Sequence, residues 1–154
     1  MSKTPPTFTL GKSILSLVNL VTLIGPFLAD WNETHIYNPD WPPHARYHNG
    51  QTMTLGLFTG LITFWVLGVV VPSPSSSLEM QKVHLNWVVV LQNMMYLSSL
   101  SGILYPGAAW MDPKFGEGRP QLYLFGGLVV VVWVGWGVEM RRLRGVARGG
   151  GKVV

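Results

Sequence analysis

Three of the chain's four histidines, His35, His44 and His48, fall in one stretch, DWNETHIYNPDWPPHARYHNGQ (30–51), with three of its seven carboxylates, Asp30, Glu33 and Asp40. Imidazoles and carboxyls so concentrated can exchange protons near neutral pH, one group donating while its neighbour accepts. A carboxyl at the mouth of an apolar medium holds its proton more readily than one in water, because desolvation disfavours the anion. Asp30, Glu33 and His35 are therefore the candidate acids. His44 and His48 are candidate bases that stand on one face of a helix at i, i+4, if Pro42-Pro43 opens that helix. The same pair could instead bind a metal, which needs a third ligand such as His35, or only hydrogen-bond the loop above it. No metal and no cofactor is assigned. Trp31, Trp41 and Tyr47 would wall such a site, and Asn32, Arg46, Asn49 and Gln51 would orient a bound oxygen. A plainer reading pairs the carboxylates with Arg46 and backbone amides as a helix-end cluster.

What must position these groups is apolar. Only 12% of the 154 residues are charged and 48% are hydrophobic, against about a quarter charged in an ordinary soluble domain. Four apolar runs, at 12–29, 52–72, 85–105 and 121–138, each approach the ~20 residues that cross a ~30 Å hydrocarbon layer. The expected fold is all-α, an integral membrane four-helix bundle in one domain spanning 1–154. A cleavable signal peptide is not expected, since Phe27 stands where a small residue is needed before Ala29. Gly25-Pro26 should loosen the last turn of the first span, and residues 1–11 should be poorly ordered. Cysteine is absent, which excludes disulfides, thiolate metal sites and thiol nucleophiles.

Basic residues set the expected orientation. Arg141, Arg142, Arg144, Arg148 and Lys152 follow the fourth span, Lys3 and Lys12 flank the first, and Lys82 lies near the second loop. The positive-inside rule puts both termini on the cytoplasmic side. The first and third loops then share the lumenal side, most simply of the endoplasmic reticulum, and Asp112, Glu117 and Arg119 join the histidine stretch there. The sequon Asn32-Glu33-Thr34 suits a lumenal loop, although its nearness to the membrane argues against modification. The basic tail reads as a topology signal and an anionic-lipid contact, not a nucleic-acid interface. No repeat, heptad or phosphate loop is present.

Within the spans, Gln92, Asn93 and Tyr96 are candidates for lining a cavity, as intramembrane polar residues face the bundle interior. The threonines and serines suit interhelical hydrogen bonds, and Gly56 and Gly60 form a small-xxx-small packing face. Glu139 and Arg142 should form a surface salt bridge. His84 should be interfacial, and Trp65, Trp87, Trp110, Trp133 and Trp136 should act as interface anchors or packing.

The run THIYNPDWPPHARYHNGQTM (34–53) resembles the signature loop of small four-helix fungal membrane proteins with a TH..NP.WP.HA..H pattern. The match rests on Thr34, His35, Asn38, Pro39, Trp41, Pro42, His44, Ala45, His48 and Asn49. Those proteins are similar in layout to DoxX-like proteins and, more loosely, to emopamil-binding sterol isomerases. The resemblance implies a lipophilic small-molecule substrate and a role in secondary metabolism: isomerisation, epoxide opening or cyclisation. Sterol isomerases carry their acidic and histidine residues within helices, whereas this chain holds most of them in a loop. The expected function is cofactor-independent acid/base chemistry on a lipophilic metabolite, either epoxide opening or proton-driven cyclisation. The alternatives are double-bond isomerisation and a non-catalytic membrane scaffold.

Overall fold

The computed structural model describes residues 6–149, and these are helical with no strand. Lys3, Lys152 and the side chain of Arg148 lie outside the described part. Helix α1 spans Leu10–Asp30, α2 Pro43–Trp65, α3 Leu78–Ser101 and α4 Pro120–Gly149. All four are long and apolar enough to cross a membrane.

Helix ends differ from the apolar runs for local reasons. Helix α2 begins at Pro43, with Pro42 as its extended N-cap, because proline supplies the first-turn φ and lacks an N–H that would go unpaired. Residues 43–51 are thus the polar first turns of a helix, and only 31–42 form the loop. The far end of α2 runs on as one π-helical turn, Val66–Val70, closed by the Val71 amide on the Val66 carbonyl at 2.9 Å. Helix α3 starts at Leu78 on a Ser77 cap, whose hydroxyl accepts from the Met80 amide. A 3-10 turn, Gly102–Leu104, ends it.

Helix α1 is the hub. It packs along both α2 and α4, and α4 packs along α3. Its buried stripe, Gly11, Lys12, Leu15, Val18, Asn19 and Thr22, follows the helical period. Glycines set the two close crossings. A Cβ on Gly56 or Gly60 would lie 2.9 Å from the Thr22 carbonyl oxygen or 2.7 Å from the Leu23 Cβ, so the expected small-residue face is where α2 meets α1. Pro26 does not interrupt α1, which continues to Asp30. Proline lacks the N–H that would bond the Thr22 carbonyl, and that oxygen is the one lying over Gly56. On α4, a Cβ at Gly135 would lie 3.0 Å from Ile14 Cγ2, and one on Gly11 would meet Glu139 Cβ at 2.6 Å.

Polar side chains tie the helices together at depth. Asn19 Nδ2 donates to the Gly60 carbonyl at 2.8 Å and Gln92 Nε2 to the Leu15 carbonyl at 2.9 Å. Tyr96 Oη donates to the Val18 carbonyl at 3.1 Å and accepts from Thr22 Oγ1 at 2.6 Å. Such bonds average roughly 0.6 kcal/mol each within a bilayer.

At the end where α1 starts, Glu139 is fully buried. It meets Arg142 at 2.7 Å and accepts from the Thr9 hydroxyl. Lys12, only 2% exposed, donates to the Pro6 carbonyl. The expected surface bridge between Glu139 and Arg142 is therefore a buried one. The i, i+3 spacing forms the pair, but tight packing of Gly11 onto α4 takes the carboxylate out of solvent. At the opposite end the first and third loops meet, with Lys114 Nζ bonded to Asp40 Oδ2 at 2.7 Å.

Candidate functional site

Between these two loops and the upper halves of the helices lies a cavity of about 650 Å³. Its floor is mostly apolar, with Val21, Gly25 and Pro26 of α1, Met95 of α3 and Leu124 and Phe125 of α4, interrupted by Thr22, Thr52, Tyr96 and Ser99. Its roof is Trp41 from the first loop, with Trp110, Met111 and Phe115 from the third. Three titratable groups enter from the roof side, Asp30, His35 and Asp112.

The first loop is built to hold His35. Asn32 donates Nδ2 to the Ala29 carbonyl at 2.6 Å, and its Oδ1 accepts from the Thr34 amide at 2.8 Å. A backbone N–H can only donate, so the orientation of the Asn32 amide is settled. The Thr34 hydroxyl, 2.7 Å from that same Oδ1, must then donate to it. With its one proton engaged, Thr34 Oγ1 can only accept from His35 Nδ1 at 2.6 Å. His35 therefore carries a proton on Nδ1, and in the neutral ring Nε2 is the bare nitrogen.

That nitrogen faces Asp30 Oδ1 at 3.8 Å, an ion-pair separation too long for a hydrogen bond. Among the described residues, the His35 ring hydrogen-bonds through Nδ1 alone. Asp30 is itself held through Oδ2 by Asn49 Nδ2 at 2.7 Å, while the His35 ring sits edge-on to Trp41 at 5.0 Å. A bare nitrogen and a carboxylate oxygen thus stand side by side at the edge of the chamber.

Asn38, 2% exposed, secures the rest of the loop. Its Nδ2 donates to the Thr34 carbonyl at 3.3 Å, its Oδ1 accepts from the Asp40 amide at 3.0 Å, and its carbonyl accepts from Arg46 Nη2 at 2.7 Å. Arg46, expected to orient a substrate oxygen, braces the loop instead.

Of the residues singled out by sequence, Asp30, His35, Trp41, Tyr96 and Asp112 line the cavity, and Asn32 and Asn49 position them. Others do not reach it. Glu33 is exposed and outside the lining. His44 and His48 also lie on the exposed face of α2, their Nε2 atoms 2.9 Å apart and His48 Nδ1 2.8 Å from Gln51 Oε1. The i, i+4 spacing correctly puts the rings together, yet the α2 face that packs on α1 is the one carrying Gly56 and Gly60, which turns the histidines outward. Tyr47 stacks on His44 and Trp31 donates to Tyr37 Oη at 2.7 Å, both exposed. Gln92 bridges to α1, and Asn93 donates to the Val89 carbonyl of its own helix. Neither lines the chamber.

Sequence reasoning missed Trp110, Phe115, Gln121 and Phe125. Gln121 sits in the wall with its Oε1 buried and without a hydrogen-bond partner among the described residues, an acceptor left for a donor in the chamber. Asn32, the sequon asparagine, has both side-chain polar atoms engaged within the loop.

The architecture defines a class: a bundle of four helices of membrane-spanning length with a roofed apolar chamber at one end. The chain belongs to a family of unknown function, DUF6640, whose model matches residues 14–149. No curated protein and no solved structure matches the chain.

Proposed function

We propose that this chain is a multi-pass membrane enzyme that performs acid/base chemistry on a small lipophilic metabolite, with Asp30 and His35 as the proton-transfer pair. The observation that carries this reading is the bare His35 Nε2 beside Asp30 at the rim of an apolar 650 Å³ chamber. Both termini then lie on the cytoplasmic side and the chamber opens toward the lumen of the endoplasmic reticulum. On the cytoplasmic side the exposed Arg141 and Arg144 face anionic lipid.

Epoxide opening fits this reading with atoms balanced. A proton taken up from water on His35 Nε2, opposite the Asp30 carboxylate, passes to the epoxide oxygen as a carbon–oxygen bond breaks. Water, or a second nucleophilic group of the substrate, bonds to that carbon and gives its proton to Asp112 or back to the pair. Ring faces of Trp41, Trp110 and Phe125 stabilise positive charge on carbon, and Gln121 accepts from a substrate hydroxyl. The resemblance of the 34–53 run to small four-helix proteins of secondary metabolism favours the same chemistry. Double-bond isomerisation would use the same pair, protonating one carbon and deprotonating another.

A binding role without turnover is the second reading, and the bracing of the roof by Arg46, Asn38 and the Asp40–Lys114 bridge favours it. Metabolite profiling of the native host carrying Asp30→Asn, His35→Gln or Asp112→Asn separates the two. Enzymatic function expects loss of one product and build-up of its precursor in the first two variants. An unchanged profile in all three removes the catalytic reading.

A further inference from the structure

The geometry points to a second site, independent of the chamber: a two-histidine site for a divalent transition metal on the exposed first turns of α2. His44 and His48 approach through their Nε2 atoms at 2.9 Å, with the rings crossed at 77°. Two nitrogens bound to one metal at ~2.05 Å lie about 2.9 Å apart when they subtend 90° and about 3.3 Å apart at the tetrahedral angle. The observed separation matches the edge of a square-planar or octahedral sphere. That geometry belongs to Cu(II) and Ni(II) rather than to zinc, and copper also heads the affinity order.

The surroundings are those of a ligand pair. His48 is anchored through Nδ1 by Gln51 Oε1 at 2.8 Å. With the glutamine oxygen as acceptor, Nδ1 carries the proton and Nε2 keeps its lone pair, as an outer partner does for a metal-bound histidine. His44 is held by stacking on Tyr47, centroids 5.9 Å apart and planes within 6°. In the metal-free chain His44 Nε2–H donates to His48 Nε2. Binding a cation requires His44 to shift that proton to its Nδ1, and a small rotation of each ring on its Cβ then aims both Nε2 lone pairs at the metal. Helical i, i+4 spacing holds the donors on one face. No group of three or more metal-binding side chains occurs among the described residues, so the protein supplies two ligands and water completes the sphere. His35, the third ligand weighed from sequence, is turned toward Asp30 on the other side of the loop.

Cu(II) added to the full chain in detergent tests this, read by electron paramagnetic resonance and titration. One tetragonal copper per chain with coupling to two nitrogens is expected. His44→Ala and His48→Ala should each weaken binding at least tenfold and lose the two-nitrogen pattern. Gln51→Ala should weaken it by roughly tenfold, and His84→Ala should leave it unchanged. Copper should raise the melting temperature of the parent chain but not of the two histidine variants, whose substituted positions are exposed and leave folding intact. Absence of the two-nitrogen signal from the parent chain, or its persistence in either histidine variant, overturns the site.

Discussion

The two ends of the bundle use the same residue types for opposite ends. Where α1 begins, Glu139 and Lys12 are packed to near-complete burial, with half-buried Arg142 and Thr9 bonded to the carboxylate, and Gly11 approaches α4 closely beside them. Where α1 finishes, Asp30 and His35 stand 3.8 Å apart, the imidazole with a ring nitrogen unengaged, over a chamber large enough for a ligand. A carboxylate whose partners are complete and dry contributes to structure. One whose partner keeps a free valence beside a cavity is available for chemistry.

That contrast can be broken experimentally, beginning with the closed end. Glu139→Ala leaves Arg142 and Lys12 without their counter-charge and should cost about 3–5 kcal/mol, read as a fall in the thermal midpoint in detergent. Should the midpoint hold, the closed end is not a structural clamp. Gly11→Val comes next, since even the first added carbon would lie 2.6 Å from Glu139 Cβ and 2.8 Å from the Gly135 carbonyl. A loss of about 1–3 kcal/mol is expected for such overpacking. At the same measurement Gly50→Ala, with open space around its Cβ position, should be neutral or gain up to ~1 kcal/mol from helix propensity.

At the open end the expected sign pattern reverses. Asp30→Asn keeps the shape of the side chain, so the midpoint should move by less than about 1 kcal/mol, while product formation is lost. Smallest of all is Lys114→Ala. Its bridge to Asp40 is exposed on both sides, worth about 0–1 kcal/mol, and a larger drop in midpoint would mean that the roof is fixed by this pair rather than by Asn38.

The four helices were legible because uncharged apolar runs of sufficient length permit little else. Their limits were less so. Nothing apolar marks 43–51 as helical, and only the paired prolines hint that α2 begins there. Helix α4 continues through a basic segment because a buried partner awaits Glu139, which depends on a contact with the far end of the chain. Within the site, Asp30, His35, Trp41 and Asp112 could be singled out by residue type and by the topology that brings two loops to one end. His44 and His48 were rightly paired but misdirected: spacing says that two side chains share a face, not which way the face looks. Trp110, Phe115 and Phe125 were illegible as lining because an aromatic in an apolar chain reads equally as packing or as an interface anchor. Gln121 could be recognised only once its carbonyl was seen to lack a partner.

The central claim is that proton transfer at Asp30 and His35 is what the chamber is for. Its most direct test is turnover, by the purified chain in lipid discs, of the precursor that accumulates in the Asp30→Asn host. The account predicts that Asp30→Asn and His35→Gln each lower kcat by about 10²–10⁴-fold, while precursor binding stays within a few-fold of the parent. Parent-level turnover in both variants, or no turnover by the parent chain itself, would contradict it.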